Sequence, residues 1–302
     1  MHYIDEEEVR RLLRLEDLIP AMRQVMIEFS EGKWQQPLRR VLAQQGGFFG
    51  IMPASGEAMG IKMVTYYPGN AETELPTHMA MIALFHPRTG EPLAIMDGRY
   101  ITEMRTAAVS AVATDALAAV DTKVLTLLGA GVQARAHLEV LPYVRKFQEI
   151  RVWNHNPDRA ERFAKEHGVT AMGLEGAVRG ADVVVTATSS RTPVLRGEWL
   201  KPGAHVNAIG ASRPDWRELD DAAMASLVVV DSYEGARTES GDVILSGVTP
   251  YAELGEVLNG SKPSRRDETT VFKSLGMAVE DVAAARLVYD AWRRSEHSAG
   301  SA

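Results

Sequence analysis

Residues 123–135, KVLTLLGAGVQAR, constrain the fold of this 302-residue chain more than any other stretch. Val124–Leu128 is an apolar run of strand length. Gly129, Gly131 and Ala134 follow at GxGxxA spacing, and a helix-compatible region opens at Val132. Strand, glycine turn and helix in that order read as the first βα unit of a dinucleotide-binding Rossmann domain. Gly129 permits the tight turn, Gly131 lets the backbone approach a pyrophosphate, and Ala134 lets the helix sit close on the strand. Unpaired amides at the helix start would face the phosphates, so Gly129, Ala130, Gly131, Val132 and Gln133 are candidate cofactor contacts. The flanking strand and helix weigh against a purely structural turn.

The chain after this unit keeps alternating. Strands are predicted at 149–153, 169–172, 182–188, 205–209 and 227–230, with helices at 158–167 and 174–179 between them. Residues 252–258 read as a short helix and 261–270 as a polar loop. Upstream, helices are expected at 5–11, capped by Asp5, and at 15–31, with Leu18, Met22, Val25, Met26 and Phe29 on one stripe. Segments 38–44, 47–54, 60–67, 78–86 and 92–97 suggest a small antiparallel or mixed sheet. An alanine-rich helix at 101–119, with Thr102 as its cap, leads into the nucleotide domain. A last helix at 275–294 returns to the first domain, and 295–302 are small and polar enough to fray. The fold class is therefore α/β: a Rossmann nucleotide-binding domain at 117–270, a second α+β domain for substrate and dimerisation at 1–116, and a returning segment at 271–302.

Charge and residue usage remove several functions. Lys plus Arg number 33 against 40 Asp plus Glu, with no long basic tract, which argues against a nucleic-acid partner. The absence of cysteine excludes disulfides, thiolate catalysis and cysteine-ligated metals. The eight histidines form no HExxH or other compact set, so no metal is expected. The N-terminus MHYIDEEEVRR lacks a signal-peptide core and no apolar run approaches a membrane span, so a cytoplasmic enzyme with no membrane partner is expected.

The second strand ends at Trp153, where an acidic reader of the adenosine ribose would follow in an NAD-specific site. The sequence there is Asn154, His155, Asn156, Pro157, Asp158, Arg159. Asn154 can bond the ribose without repelling a 2′-phosphate, and His155, Asn156 and Arg159 can contact that phosphate. The pattern favours NADPH over NADH, with dual use open because Asp158 is close by. Thr186, Ala187 and Thr188 end one strand beside the expected cleft, and Asn207, Ala208 and Ile209 end the next, with Asn207 able to bond the nicotinamide amide. Ordinary strand termination is the alternative for these residues.

Candidate reaction chemistry lies upstream. Lys62 alternates with Ile61 and Met63 and shares a face with Val64, which suits a pocket lysine that holds a carboxylate or transfers a proton. A solvated sheet edge is the other reading. Arg105 opens the alanine-rich run and can fork a planar carboxylate, or pair with Glu103 or Asp97. Arg39, or Arg40 beside it, would add to a positive field suited to a small α-imino or α-keto acid. His78 can orient substrate or pass a proton, or sit as a satisfied core histidine.

The residues as a set resemble the ornithine cyclodeaminase/mu-crystallin family along almost the whole chain. The resemblance is carried by LPTH at 75–78, MDG at 96–98, RTAA at 105–108 and LGAGVQA at 128–134. The segments GASRPDWRELDD at 210–221 and TVFKSLGMAVED at 270–281 are similar to the mu-crystallin/ketimine reductase branch. That resemblance implies a homodimer and NAD(P)H-dependent reduction of a cyclic imine bearing a carboxylate, such as a pyrroline or piperideine carboxylate. It assigns Lys62 to substrate and proton transfer, and Arg105 to the carboxylate with Arg39 a less certain partner; His78, on the residues alone, is the weaker alternative donor. It places Thr106, Asn207 and Ser212 near the reactive end of the cofactor, and brings Ser274 and Leu275 in from the returning segment. Related readings are a small amino-acid dehydrogenase, such as one for alanine, and a non-catalytic ligand-binding protein. Cyclodeamination is disfavoured, because Ser212 stands where the cyclodeaminase pattern carries a catalytic aspartate. Asn154, His155 and Asn156 replace an Asn–Arg–Thr pattern, which weakens a strict NADPH assignment.

Overall fold

Asp5 caps the first helix, its carboxylate accepting from the Glu8 amide at 2.9 Å. The computed structural model describes residues 1–299. The chain forms two units, Met1–Arg105 with Met277–Ala302, and Thr106–Gly276.

The first unit begins with β1 (His2–Ile4), α1 (Glu6–Leu12) and α2 (Leu15–Ser30). The strands β2 (Arg40–Gln44), β3 (Gly47–Ser55), β4 (Met59–Tyr66), β5 (His78–Phe85) and β6 (Pro92–Asp97) follow. The sheet order is β1-β6-β5-β4-β3-β2. Its neighbours are antiparallel except β1, which pairs parallel with β6, so the sheet is mixed. Next comes α3 (Arg99–Leu117). The cap expected at Thr102 is corrected: the helix starts earlier, where Asp97 accepts from the Arg99 amide at 2.8 Å, and the Thr102 hydroxyl bonds back to the Gly98 carbonyl.

The second unit continues with β7 (Val124–Leu128), α4 (Val132–Val140), β8 (Glu149–Trp153), α5 (Pro157–His167), β9 (Thr170–Ala171) and α6 (Leu174–Val178). Then come β10 (Val183–Thr186), β11 (His205–Ala208), α7 (Asp221–Met224), β12 (Leu227–Val230), α8 (Tyr233–Glu239) and α9 (Gly241–Ser246). It closes with β13 (Ala252–Glu253), α10 (Leu254–Leu258) and β14 (Thr270–Lys273). All pairs are parallel, in the order β13-β12-β14-β11-β10-β7-β8-β9. The order reverses between β7 and β10, and ligands of such sheets lie at the carboxyl ends of the strands flanking that point.

The domain limits shift from those expected. Residues 106–117 of α3 belong to the second unit, where Ser110 bonds His137 at 2.9 Å and Thr114 bonds Asn207 at 2.9 Å. Residues 270–273 are a buried central strand, so the nucleotide sheet extends past 270 to Lys273 and its unit to Gly276. The final helix, α11 (Ala278–Ala299), belongs to the first unit and packs on α2 and on β3, β4 and β5. Positions 295–299, expected to fray, are helical, and 300–302 lie outside the described residues. Gly60 sets how closely α11 packs: a Cβ there would stand 2.7 Å from the Ala83 carbonyl oxygen and 3.2 Å from Val282 Cγ2.

Candidate active site

Close packing of α11 on β4 brings four charged side chains together in the first unit. Gly60, Lys62 and Val64 form the buried face of β4, as strand alternation requires. Lys62 Nζ lies 2.5 Å from Asp281 Oδ2, and Arg105 Nε donates to Asp281 Oδ1 at 2.8 Å. Arg105 Nη1 also bonds Glu280. Lys62, Arg105, Glu280 and Asp281 are all buried. Arg105 Nη2 has no partner among the described residues.

Burial pushes the Lys62 amine down from 10.5 to about 8, helped by the charges of Arg105 and Arg39 and opposed by Asp281. Burial works against the Arg105 charge too, but the carboxylates of Asp281 and Glu280 hold its pKa above the ordinary value. His78, at the start of β5, is held down at about 4, first by burial and then by the charges of Lys62 and Arg105. It is a neutral imidazole at pH 7. Arg39 lies half-buried just before β2, and Arg40 is exposed. The structure therefore gathers Lys62, Arg105, His78 and the field of Arg39. Neither Glu103 nor Asp97 takes the Arg105 fork, which grips Asp281 and Glu280.

In the second unit, most of the expected cofactor contacts lie at the carboxyl edge of the parallel sheet. Gly129, Ala130, Gly131, Val132 and Gln133 follow β7, and Asn154, His155, Asn156 and Arg159 follow β8. Thr186, Ala187 and Thr188 end β10, Ala208 and Ile209 end β11, and Ser274 and Leu275 follow β14. Gly129 has φ +122°, and a Cβ there would meet the Ala187 carbonyl oxygen at 2.5 Å, so the turn is pressed against the end of β10. A Cβ at Gly131 would meet nothing within 4 Å. Gly131 is exposed, and the first-turn amides of α4 lack intrahelical acceptors. A dinucleotide pyrophosphate fits this cradle.

Several side chains have other work. Asn207 is fully buried, donating to Thr114 Oγ1 at 2.9 Å and lying 3.3 Å from His205 Nε2. This corrects the expected nicotinamide contact, because the amide turns into the core. Thr186 and Thr188 donate their hydroxyls to Glu218 at 2.8 and 2.6 Å. Asn156 caps α5 by accepting from the Arg159 amide at 3.3 Å, and Asn154 donates to the Asn156 carbonyl at 3.1 Å. The Ser274 hydroxyl and Leu275 amide both turn to Asp231, at 3.3 and 2.5 Å. His155 and Arg159 are exposed, Ser212 is exposed in the loop after β11, and Thr106 is buried on α3.

Sequence reasoning assigned no role to Asp281, Glu280, Glu218, Asp231, Asp242 or Lys273. The available signal was their place in the distinctive segments 210–221 and 270–281, which contain Glu218, Lys273, Glu280 and Asp281. Among the described residues no group of three or more histidines or carboxylates is arranged to hold a metal. No helix among them is long and apolar enough to cross a membrane.

A model of the ornithine cyclodeaminase/mu-crystallin family matches residues 3–296. The chain belongs to that family. It is 49% identical to ketimine reductase mu-crystallin of Mus musculus over 307 residues, covering 96% of this chain and 97% of that protein. Among solved structures of similar proteins, the Thermococcus litoralis Δ1-pyrroline-2-carboxylate reductase in complex with NADH and L-proline has a TM-score of 0.92. It is 36% identical and covers 98% of each chain. An archaeal alanine dehydrogenase dimer with bound NAD also has a TM-score of 0.92, at 34% identity over 98% of this chain and 97% of that one.

Proposed function

We propose that this protein is an NAD(P)H-dependent ketimine reductase acting on the C=N bond of a small cyclic imino carboxylate such as a pyrroline or piperideine carboxylate. The carrying observation is the buried Lys62–Asp281–Arg105 cluster, read together with the similarity to ketimine reductases and to a pyrroline-2-carboxylate reductase. When bound, the reduced nicotinamide supplies a hydride. Lys62, with its pKa near 8, is charged at neutral pH yet readily deprotonated, which suits donation to an imine nitrogen. Asp281 keeps that proton on Lys62 in a dry setting and fixes where Nζ points. Arg105 Nη2 and the charge of Arg39 grip the substrate carboxylate. His78, neutral, orients substrate by a hydrogen bond and is the weaker proton donor. Ser212 offers a hydroxyl but no carboxylate base, which disfavours cyclodeamination.

For the cofactor, the turn from Gly129 to Gln133 would hold the pyrophosphate. Asn154, His155, Asn156 and Arg159 would meet the adenosine ribose and its 2′ substituent. Thr106, Thr186, Ala187, Thr188, Ala208, Ile209, Ser274 and Leu275 would line the remainder, several through backbone atoms because their side chains are engaged. With no carboxylate directly after β8, NADPH is favoured and NADH stays usable. We assign a homodimer, in keeping with the dimeric alanine dehydrogenase relative.

The test is a panel of five- and six-membered cyclic imino acids, and keto acids with ammonia, followed by loss of reduced-nicotinamide absorbance with either cofactor. Turnover of the preformed cyclic imines without ammonia is expected. Turnover of keto acids only when ammonia is added would make it an amino-acid dehydrogenase. Binding without turnover across the panel would leave a ligand-binding protein.

A further inference from the structure

Lys273, at the end of β14, has no exposed surface, yet it is not part of the Lys62 cluster. Its ammonium lies 3.0 Å from Asp242 Oδ2 and donates to the Gly210 carbonyl. The other oxygen of Asp242 accepts from the amides of Glu218 and Leu219, at 2.9 and 3.0 Å. One buried ion pair thus grips both ends of the segment leaving β11: residue 210 through Lys273, and residues 218 and 219 through Asp242. Glu218 strengthens the far end, since its carboxylate accepts from the Thr188 amide at 2.7 Å and from the hydroxyls of Thr186 and Thr188. The Arg213 carbonyl accepts from the Gly241 amide at 3.0 Å, next to Asp242.

Between those anchors, Ala211 has φ +52°, the sole non-glycine residue with positive φ among those described. Such a backbone costs free energy and persists only where its surroundings over-determine it. The next residue is Ser212, exposed at the carboxyl edge of the sheet. A buried ion pair adds little net stability over apolar residues of the same volume. What this one does supply is the fixed separation of two backbone segments.

We infer that Lys273 and Asp242 are positioning residues, which hold the loop 211–217 so that Ser212 keeps one conformation at the carboxyl edge of the sheet, where the family resemblance sets the reactive end of the cofactor. The inference rests on the ketimine reductase reading for its catalytic half. Neither residue touches substrate; both act through the loop backbone.

The test compares wild type with Lys273→Met/Asp242→Asn, which removes both charges together and keeps an acceptor at 242, and with Ala211→Gly, which relaxes the left-handed residue. The readouts are kcat and KM for a cyclic imine, dinucleotide affinity by fluorescence, urea unfolding, and amide hydrogen exchange of 211–217. We expect the double variant to unfold cooperatively and bind dinucleotide within about threefold of wild type, while kcat falls by about tenfold or more. Exchange should quicken in 211–217 and stay unchanged in β7 and α4. Ser212→Ala should lower kcat in wild type and add little in the double variant.

Unchanged kcat with unchanged loop exchange overturns the inference. A loss of kcat that merely tracks lost stability and lost dinucleotide affinity also overturns it. If the double variant does not fold, Ala211→Gly decides, with a kcat loss at unaltered stability expected and unaltered kcat refuting. If wild type reduces no imine, the functional reading fails on its own, and loop exchange alone then decides whether the ion pair sets the loop.

Discussion

Lys62 Nζ lies 2.5 Å from Asp281 Oδ2, inside a first unit where Asp281 also receives Arg105. Among the described residues Asp281 is the one counter-charge paired with Lys62 and one of two paired with Arg105, and it is wholly buried. Removing one member of a buried ion pair leaves an uncompensated charge, at a cost of about 3–5 kcal/mol. Asp281→Asn should therefore lower the urea midpoint strongly, and it should cut imine reduction more than the loss of folded protein accounts for. Unfolding curves and kcat measured on the same preparations check this; wild-type values for both would remove Asp281 from the mechanism.

The pH dependence of activity follows from the same lysine. Its pKa falls from 10.5 to about 8, chiefly through burial. Below that value the amine carries the proton it donates and the charge that attracts a carboxylate; above it, both are lost. Imine reduction should decline as pH rises through about 8. The affinity for an unreactive cyclic carboxylate should decline over the same range, which separates the enzyme's titration from that of the imine. Lys62→Met should lower kcat/KM by about a hundredfold or more and remove that limb from the binding profile. Near-wild-type reduction by Lys62→Met would end the assignment of Lys62 as donor.

Two other buried histidines set an acid limit on stability. His137 Nδ1 lies 2.7 Å from the Gln133 carbonyl and Nε2 lies 2.9 Å from Ser110 Oγ. A carbonyl only accepts, so Nδ1 carries the proton, and with burial holding the pKa near 4 the ring is neutral at pH 7. His205 faces Asn207 Oδ1 and Thr270 Oγ1 at 3.3 and 2.8 Å. Burial holds both near 4, against 6.5 when unfolded. Between those values the unfolded chain binds protons that the folded chain does not. Stability is thus full above about 6.5 and is lost as pH falls toward 4, by roughly 3 kcal/mol per histidine. Urea unfolding at pH 7, 6, 5 and 4.5 should show the decline, and His137→Gln should flatten it.

How far the chain could be read without its structure depended on whether a residue's role was local. The glycine turn, the buried face of β4 and the cap at Asp5 are local patterns, and the structure places each where spacing put it. Lys62 was identifiable because alternation puts it on the face of Val64. Asp281 was not: an acidic pair after Val279, in the first turn of a helix, has the same pattern as charges complementing the helix dipole in water. Only the packing of α11 on Gly60 shows it to be interior. The strand β14 was missed for a related reason. TVFK is four residues long and follows a polar loop, and Lys273 at its end hid a strand that is buried on both faces. Asn207 shows the reverse error, since a polar residue ending an apolar strand suggested a ligand contact, whereas its amide is committed to Thr114.

The two glycines of the nucleotide turn should separate folding from binding. Gly129 has φ +122°, and its missing Cβ would stand 2.5 Å from the Ala187 carbonyl oxygen. Gly129→Ala should lose about 1–3 kcal/mol of stability through strain and backbone displacement, lowering Tm whether or not dinucleotide is present. Gly131 has φ −105°, which any residue adopts, and nothing lies within 4 Å of its absent Cβ. Gly131→Ala should leave Tm of the free protein unchanged or slightly raised. If a pyrophosphate passes over that backbone, the new methyl group occupies its path, and dinucleotide affinity should drop by about tenfold, or about 1.4 kcal/mol. Thermal unfolding with and without NADPH, together with a fluorescence titration, measures both effects. Equal dinucleotide affinity in wild type and Gly131→Ala would move the phosphates away from the start of α4.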